Sequence, residues 1–433
     1  MAEETAAPSI EIPPELAARA KAAGWPEDLV IEALQKGAEP NDLVRFMSMG
    51  ISAEQARQFI AARAEGGAGQ GPPPPQLDLA WMKVPTEWGI RAKPTKKGLT
   101  IDAINIGKYG EVPDRWEYQT EMPRGAIPIL GVEGMGYSVY EKHELWADNA
   151  GGLYEEAIQR RWRPATDIPW DTIEPLPDDI ERAICQICTH LSEKAQLEAD
   201  VLAGWEPELS YGYHEVKLYL ATTIFEGARH AEVFRKRALS NGGGLGIQSP
   251  GWGFRSVTDA RNFTEMITVQ MVLQDSFTLV QYQYGEAFAR NPAEQMIFRL
   301  AMQDKARHIA YGIAHLKYVL LHRADRRPEL YRYLDKGEAL LVSDDRDTAT
   351  REAFAILMAG GKDNIQEGLK MYEEMRRRQV QQYLDRLSWA TVDRLEQLHP
   401  ALRAYVETAE EATAGAAAGT AARVLSADLP ASN

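Results

Sequence analysis

The chain has 433 residues, enough for two or three domains with a substantial core, and its 45% hydrophobic and 26% charged residues are a globular balance. A formal charge of −15 argues against a nucleic-acid backbone or an anionic membrane surface as the main partner. No apolar run reaches the ~18 residues that span a bilayer, and the N-terminus is acidic and proline-containing, so a soluble cytoplasmic protein is expected.

Residues 13–63 read as a small unit of short helices. Pro13-Pro14 opens the first helix where a missing N–H costs nothing. Gly24, Gly37 and Gly50 punctuate the pattern, and Ser52 with Gln55 forms a capping box. Leu16, Trp25, Leu29, Val30, Leu34, Leu43, Phe46, Met47, Ile51 and Phe59 are the predicted mini-core. The pattern resembles ubiquitin-associated-type three-helix modules, which implies docking of a partner protein or of another part of the same assembly. A plain helical extension is the alternative. Residues 64–76, rich in Gly and then Pro, are the expected linker. From 77 to 175 the chain is rich in Trp, Pro and Gly with little periodicity, and is expected to wrap irregularly around the main helical domain, apart from one helix at 140–163. The Ala/Gly-rich tail, 409–433, is expected to be partly disordered.

Residues 176–408 carry that main helical domain. Predicted helices cover 177–205, 211–240, 258–290 and 293–323, with further helices at 346–359, 363–397 and 400–420 packed outside. Ile184, Cys188, Leu191, Ala195, Glu198, Leu202 and Trp205 share one stripe of the first, and Phe298, Ala301, Lys305, His308, Gly312, His315 and Val319 share one stripe of the fourth. Asp178 and Asp179 suit the positive end of the first helix, and Asn241-Gly-Gly-Gly244 stops the second. Cys185 and Cys188, the only cysteines, have C-x-x-C spacing but lie within a helix, so they read as small buried hydrophobes rather than a redox pair. His190, His214, His322 and His399 show no ligand spacing.

Two pentapeptides recur: Glu226-Gly-Ala-Arg-His230 and Asp304-Lys-Ala-Arg-His308. An acid and a histidine one turn apart on two helices is how a four-helix bundle builds a two-metal site. With Phe225–Phe234, Leu273-Gln-Asp-Ser-Phe277 and Met302–Ile309, these motifs make 140–325 similar to the ferritin-like di-iron carboxylate proteins, in the oxygenase and ribonucleotide-reductase small-subunit branch. The resemblance implies an all-α ferritin-like bundle. It places His230 and His308 at the two histidine ligands, Glu226 and Asp304 at the outer acids that orient them, and Asp275 at the helix-three carboxylate. Gly227 and Lys305 stand where two Glu ligands belong. On helix one Ala195 faces the core at the expected height, Glu198 faces it one turn away, and Glu193 points off the stripe.

Two divalent ions prefer several hard oxygen ligands, and an ammonium at Lys305 would repel a unit charge at 4 Å by ~4 kcal/mol at an effective dielectric of ~20, twice that for a divalent ion. Lys305 is therefore expected to replace the metal's charge, pairing with Asp275 and Glu198. Gly227 is expected to leave a cavity or room for a substrate. Arg229 and Arg307 read as surface or inter-helix salt bridges. The resulting expectation is a metal-free, non-catalytic or structural subunit, an oligomer with itself or with an intact ferritin-like relative. Two alternatives remain open. One is a metal-dependent oxidoreductase with Fe or Mn on a remodelled centre of Asp275, His308, His230 and Glu198. The other is amine chemistry at a desolvated, pKa-lowered Lys305.

Overall fold

The computed structural model describes residues 12–64, 79–83, 92–104, 112–119 and 135–415. The chain divides into two units, Met1–Trp88 and Gly89–Asn433. In the first, α1 (Pro14–Ala22), α2 (Glu27–Gln35), α3 (Pro40–Ser48) and α4 (Ala53–Ala64) form a small cluster. Sequence reading expects three helices here; the structure has four. Gly24, Gly37 and Gly50 all adopt positive φ (+71°, +81° and +72°), and three left-handed stops divide a chain into four segments. Leu16, Trp25, Leu29, Val30 and Leu43 are buried together, while Leu34, Phe46, Met47 and Ile51 sit at the rim; the side chain of Phe59 lies outside the described ones. Trp25 Nε1 donates to the Ile51 carbonyl at 2.9 Å, and the Ser52–Gln55 capping box closes at 3.0 and 3.3 Å. The expected linker past Ala64 and the tail past 415 lie outside the described residues.

The second unit opens with short turns and a two-residue antiparallel pair, β1 (Tyr118–Gln119) and β2 (Met135–Gly136). This segment's hydrogen bonds reach the connector between the first two bundle helices, residues 208–213. Val139 N donates to Glu208 O, Tyr213 Oη to Tyr140 O, and Ser210 Oγ to Trp116 O. The helix expected at 140–163 is confined to α5 (Ala150–Gln159). Before it, Lys142–Glu144 form a capped 3-10 turn, and after it Pro164 keeps Arg163 out of the helical region.

Four long helices then make a ferritin-like bundle: α6 (Asp178–Trp205), α7 (His214–Ser240), α9 (263–287) and α10 (Pro292–His322). Between α7 and α9 runs a crossover carrying α8 (Trp252–Thr258). The third bundle helix therefore starts later than the predicted residue 258, because Asn262 caps a fresh start by accepting from Glu265 N at 2.9 Å. Its stretch Thr268–Gln274 is a π-helix, one wide turn delivering Asp275 to the axis. Asn291 caps α10 in the same way, with Pro292 at its first position.

Outside the bundle lie α11 (Arg327–Ser343), which sequence reading did not assign, then α12 (Thr348–Ala359), α13 (Ile365–Trp389) and α14 (Pro400–Gly415). Two apolar clusters fill the bundle's two ends. Ile184, Cys188, Leu191, Phe234, Val280, Phe298 and Ala301 form one; Leu202, Val216, Leu220, Phe263, Met266 and Tyr311 form the other. Between those layers the sequence places its charges. Among the described residues no helix is long and apolar enough to cross a membrane.

Candidate functional site

The mid-bundle layer holds Glu198 on α6, Glu226, Arg229 and His230 on α7, Asp275 on α9, and Asp304, Lys305, Arg307 and His308 on α10, all buried. The two motif copies clasp each other. Glu226 of the first accepts from Arg307 and from His308 Nε2 (2.8 Å) of the second. Asp304 of the second accepts from Arg229 (2.5 Å) and His230 Nε2 (3.0 Å) of the first. Arg307 also reaches Asp304 Oδ1 at 2.5 Å, closing the ring. Each motif spaces acid, Arg and His on one helical face, so two facing copies pair crosswise as well as along their own helix. Because carboxylates accept, both histidines carry hydrogen on Nε2 and turn Nδ1 inward.

Lys305 occupies the centre. Its Nζ lies 2.6 Å from Asp275 Oδ1 and donates also to Glu198 Oε2. Of the two candidates on α6, Glu198 reaches the centre, while the Ala195 carbonyl lies 3.2 Å from where a Cβ on Gly227 would sit. Such a Cβ would also lie 2.9 Å from Ala199 Cβ. Gly227 thus leaves no cavity; it is the point where α6 and α7 touch. The position is closed by a neighbouring helix, which corrects the expectation of room for a substrate.

The electrostatics follow from burial and pairing. Burial works against the Lys305 ammonium, yet Asp275 and Glu198 outweigh it and hold its pKa above the usual lysine range. The lowered lysine pKa expected for amine chemistry is therefore not found, because two carboxylates meet the nitrogen. Asp275 is also buried, but Lys305 and His308 pull its carboxyl down to about 2. Burial pushes Glu198 up, outweighing the pull of Lys305. Burial depresses His230 in spite of Asp304, whereas Asp275 and Glu226 together raise His308 against the same penalty. His308 Nδ1 stands 3.7 Å from Asp275 Oδ2.

Five buried atoms of this layer have no hydrogen-bond partner among the described residues: His230 Nδ1, Asp275 Oδ2, Glu198 Oε1 and the Nε atoms of Arg229 and Arg307. Among the described residues no group of three His, Cys, Asp or Glu side chains is arranged to hold a metal ion.

Sequence reading missed two participants. Trp162 donates from Nε1 to Asp304 Oδ2 at 2.9 Å and stacks on His230 with ring centroids 6.3 Å apart. Lys194, one turn before Glu198, is a second buried cation whose Nζ donates to Gln274 Oε1 at 3.1 Å. Periodicity could have flagged Lys194, which sits one turn from Glu198 on the same helix; nothing local marks Trp162. Arg229 and Arg307 are inter-helix bridges as one reading expected, but in the interior rather than at the surface. Their identity in both motif copies was the available signal.

The remaining candidates resolve simply. Burial pushes the Cys185 thiol up to about 12 and raises Cys188 as well, the opposite of an activated thiolate. His315 bonds the Trp146 carbonyl and Thr264, and burial lowers it to about 4.

No protein-family model and no curated protein matches the chain. Among solved structures it is similar to an R2-like ligand-binding oxidase without metal cofactor, at 18% identity over 55% of this chain and 95% of that one, with a TM-score of 0.41. It is also similar to an R2-like ligand-binding oxidase with aerobically reconstituted metal cofactor after photoconversion (17% identity, 55% and 92% covered, TM-score 0.41). A third similar structure is the same kind of oxidase with aerobically reconstituted Mn/Fe cofactor after a long soak (17%, 56% and 93%, TM-score 0.40).

Proposed function

We propose that this chain is a ferritin-like bundle in which an internal ammonium takes the place of a metal pair, and that it serves as a non-catalytic, structural subunit. It would assemble with itself or with a metal-bearing ferritin-like partner, and residues 13–63 would supply a docking arm. One observation carries the reading: Lys305 Nζ lies between Asp275 and Glu198, 2.6 Å from the former. A pair of divalent ions does not fit these residues. Of four mid-bundle carboxylates, Glu226 and Asp304 are engaged by Arg307 and Arg229, and the other two by Lys305. Each of these carboxylates thus already has a buried cation against it, so an added dication would unbalance the layer. A dication 4 Å from the ammonium would meet about 8 kcal/mol of repulsion at an effective dielectric of ~20.

The rival is a metal-dependent oxidoreductase with Fe or Mn on a remodelled centre of His230, Asp275, His308 and Glu198. The unpartnered His230 Nδ1, Asp275 Oδ2 and Glu198 Oε1 are the observation in its favour. Metal analysis of the native chain, produced with ample iron and manganese, separates the two. The structural reading expects far less than one ion per chain; a stoichiometric transition metal lost on mutation of His230 or His308 would replace it with the oxidoreductase.

A further inference from the structure

The bundle centre has the chemistry of a receptor whose guest is covalently attached. Glu198 and Asp275 come from different helices, both are buried, and both direct an oxygen onto one nitrogen. Each keeps a second oxygen without a partner among the described residues, so the anionic cradle is not exhausted by the contacts it makes. The other carboxylates of the layer are committed to arginines and histidines. On the α6–α7 side the cradle is shut by the contact of Gly227 with Ala195 and Ala199. What the cradle holds is the buried Lys305 side chain itself.

We propose that this centre is a binding site for a single primary alkylammonium ion, filled in the native chain by Lys305 itself. The inference rests on the proposed function, in which no metal pair occupies the layer. Charge selects the valence. Removing Lys305 takes one positive charge from Glu198 and Asp275; a monovalent cation restores the native balance, whereas a divalent one adds a charge the native layer does not hold. Ligand geometry selects the chemical type. An ammonium needs only acceptors in the directions of its N–H bonds, and two carboxylates supply them. A divalent metal needs four to six ligand atoms at short range, and the flanking carboxylates that could complete its shell are held by guanidinium groups. Length selects the alkyl group: truncating Lys305 to alanine removes Cγ, Cδ, Cε and Nζ, which together are n-propylammonium.

The test is chemical rescue of full-length Lys305→Ala. n-Propylammonium should raise its thermal midpoint by several degrees, rising with the logarithm of concentration as a saturable ligand does. Tetramethylammonium at equal ionic strength, which has no N–H, should not. Lys305→Met, whose side chain takes up the same position, should ignore both ions. Should Lys305→Ala not fold unaided, the same comparison is made on its refolding yield from urea. Equal effects of the two ammonium ions, or stronger stabilisation by Mn²⁺ or Zn²⁺, would overturn the inference. Metal analysis of the native chain is independent of it: metal found there removes the underlying reading, while a metal-free native chain without selective rescue removes only this proposal.

Discussion

Replacing Gly227 by alanine sets two effects of known sign against each other. In a helix interior, Gly→Ala ordinarily stabilises by about 1 kcal/mol, because alanine has less backbone entropy to lose. At Gly227 the new methyl would lie 2.9 Å from Ala199 Cβ, 3.2 Å from the Ala195 carbonyl and 3.5 Å from Ala199 Cα. None of these atoms can swing aside, since each belongs to or is fixed on the backbone of α6. The helices must part by several tenths of an ångström, and such overpacking costs about 1–3 kcal/mol. The shift is also felt by Glu198, adjacent to Ala199, and loosens its hold on Lys305. A net loss of up to about 2 kcal/mol is expected from these two ranges. Urea unfolding of Gly227→Ala measures it, with Gly204→Ala as the control. Gly204 lies on α6 with nothing within 4 Å of an added Cβ and should show the ordinary gain. If Gly227→Ala gains as much as Gly204→Ala, α6 does not rest on α7 there, and the account of the closed ligand position is wrong. By the same contact, Gly227→Glu with Lys305→Glu, which restores the motif's letters, should bind no stoichiometric metal and should be less stable than the native chain.

Lys305→Met should cost about 3–5 kcal/mol, the range for removing one partner of a buried ion pair, whereas Lys194→Met, lacking a carboxylate within ion-pair distance, should stay within about 1 kcal/mol; equal losses in denaturant titration would contradict the assignment of Lys305 as the central cation. The Asp275 carboxyl, drawn down to about 2 from 3.8, contributes stability that is complete above pH 4 and lost as pH falls towards 2. Accordingly the stability gap between native chain and Asp275→Asn should narrow over that window, and a gap independent of pH would refute it. Asp344 has the opposite sign. Burial lifts it to about 6, so its ionised form is penalised and the fold gains from it as pH falls from 6 to 4. Asp344→Asn should abolish that component, and unchanged pH curves would show that the carboxyl is better solvated than its packing against Gly253 implies.

The bundle was legible because its apolar stripes run long enough to fix helix phase, and the repeated motif brought Glu226, Asp304, His230 and His308 to one layer on paper. Lys305 could be placed beside Asp275 and Glu198 because all three fall on inward stripes at one height. Other features had no local signature. The four-residue break 259–262 depends on a single Asn262 cap, and the π-turn at Thr268–Gln274 leaves the apolar pattern almost unchanged. Helix α11 carries charge on most of its turns and was passed over; its buried Leu330, Leu334 and Leu341 show the face that periodicity should have caught. Gly227 was misjudged for a physical reason: an absent side chain says nothing about whether space or a neighbour replaces it. Trp162 comes from a stretch without periodicity, and only the fold brings it to Asp304.

The crosswise grip of the two motif copies also governs assembly of the chain. Arg229, Arg307 and the Lys305–Glu198 bridge all join the α6–α7 hairpin to the α9–α10 hairpin. Either hairpin alone would lack the counter-ions that reside on the other. The two halves are thereby coupled, and a lesion in one hairpin strands charges in the other.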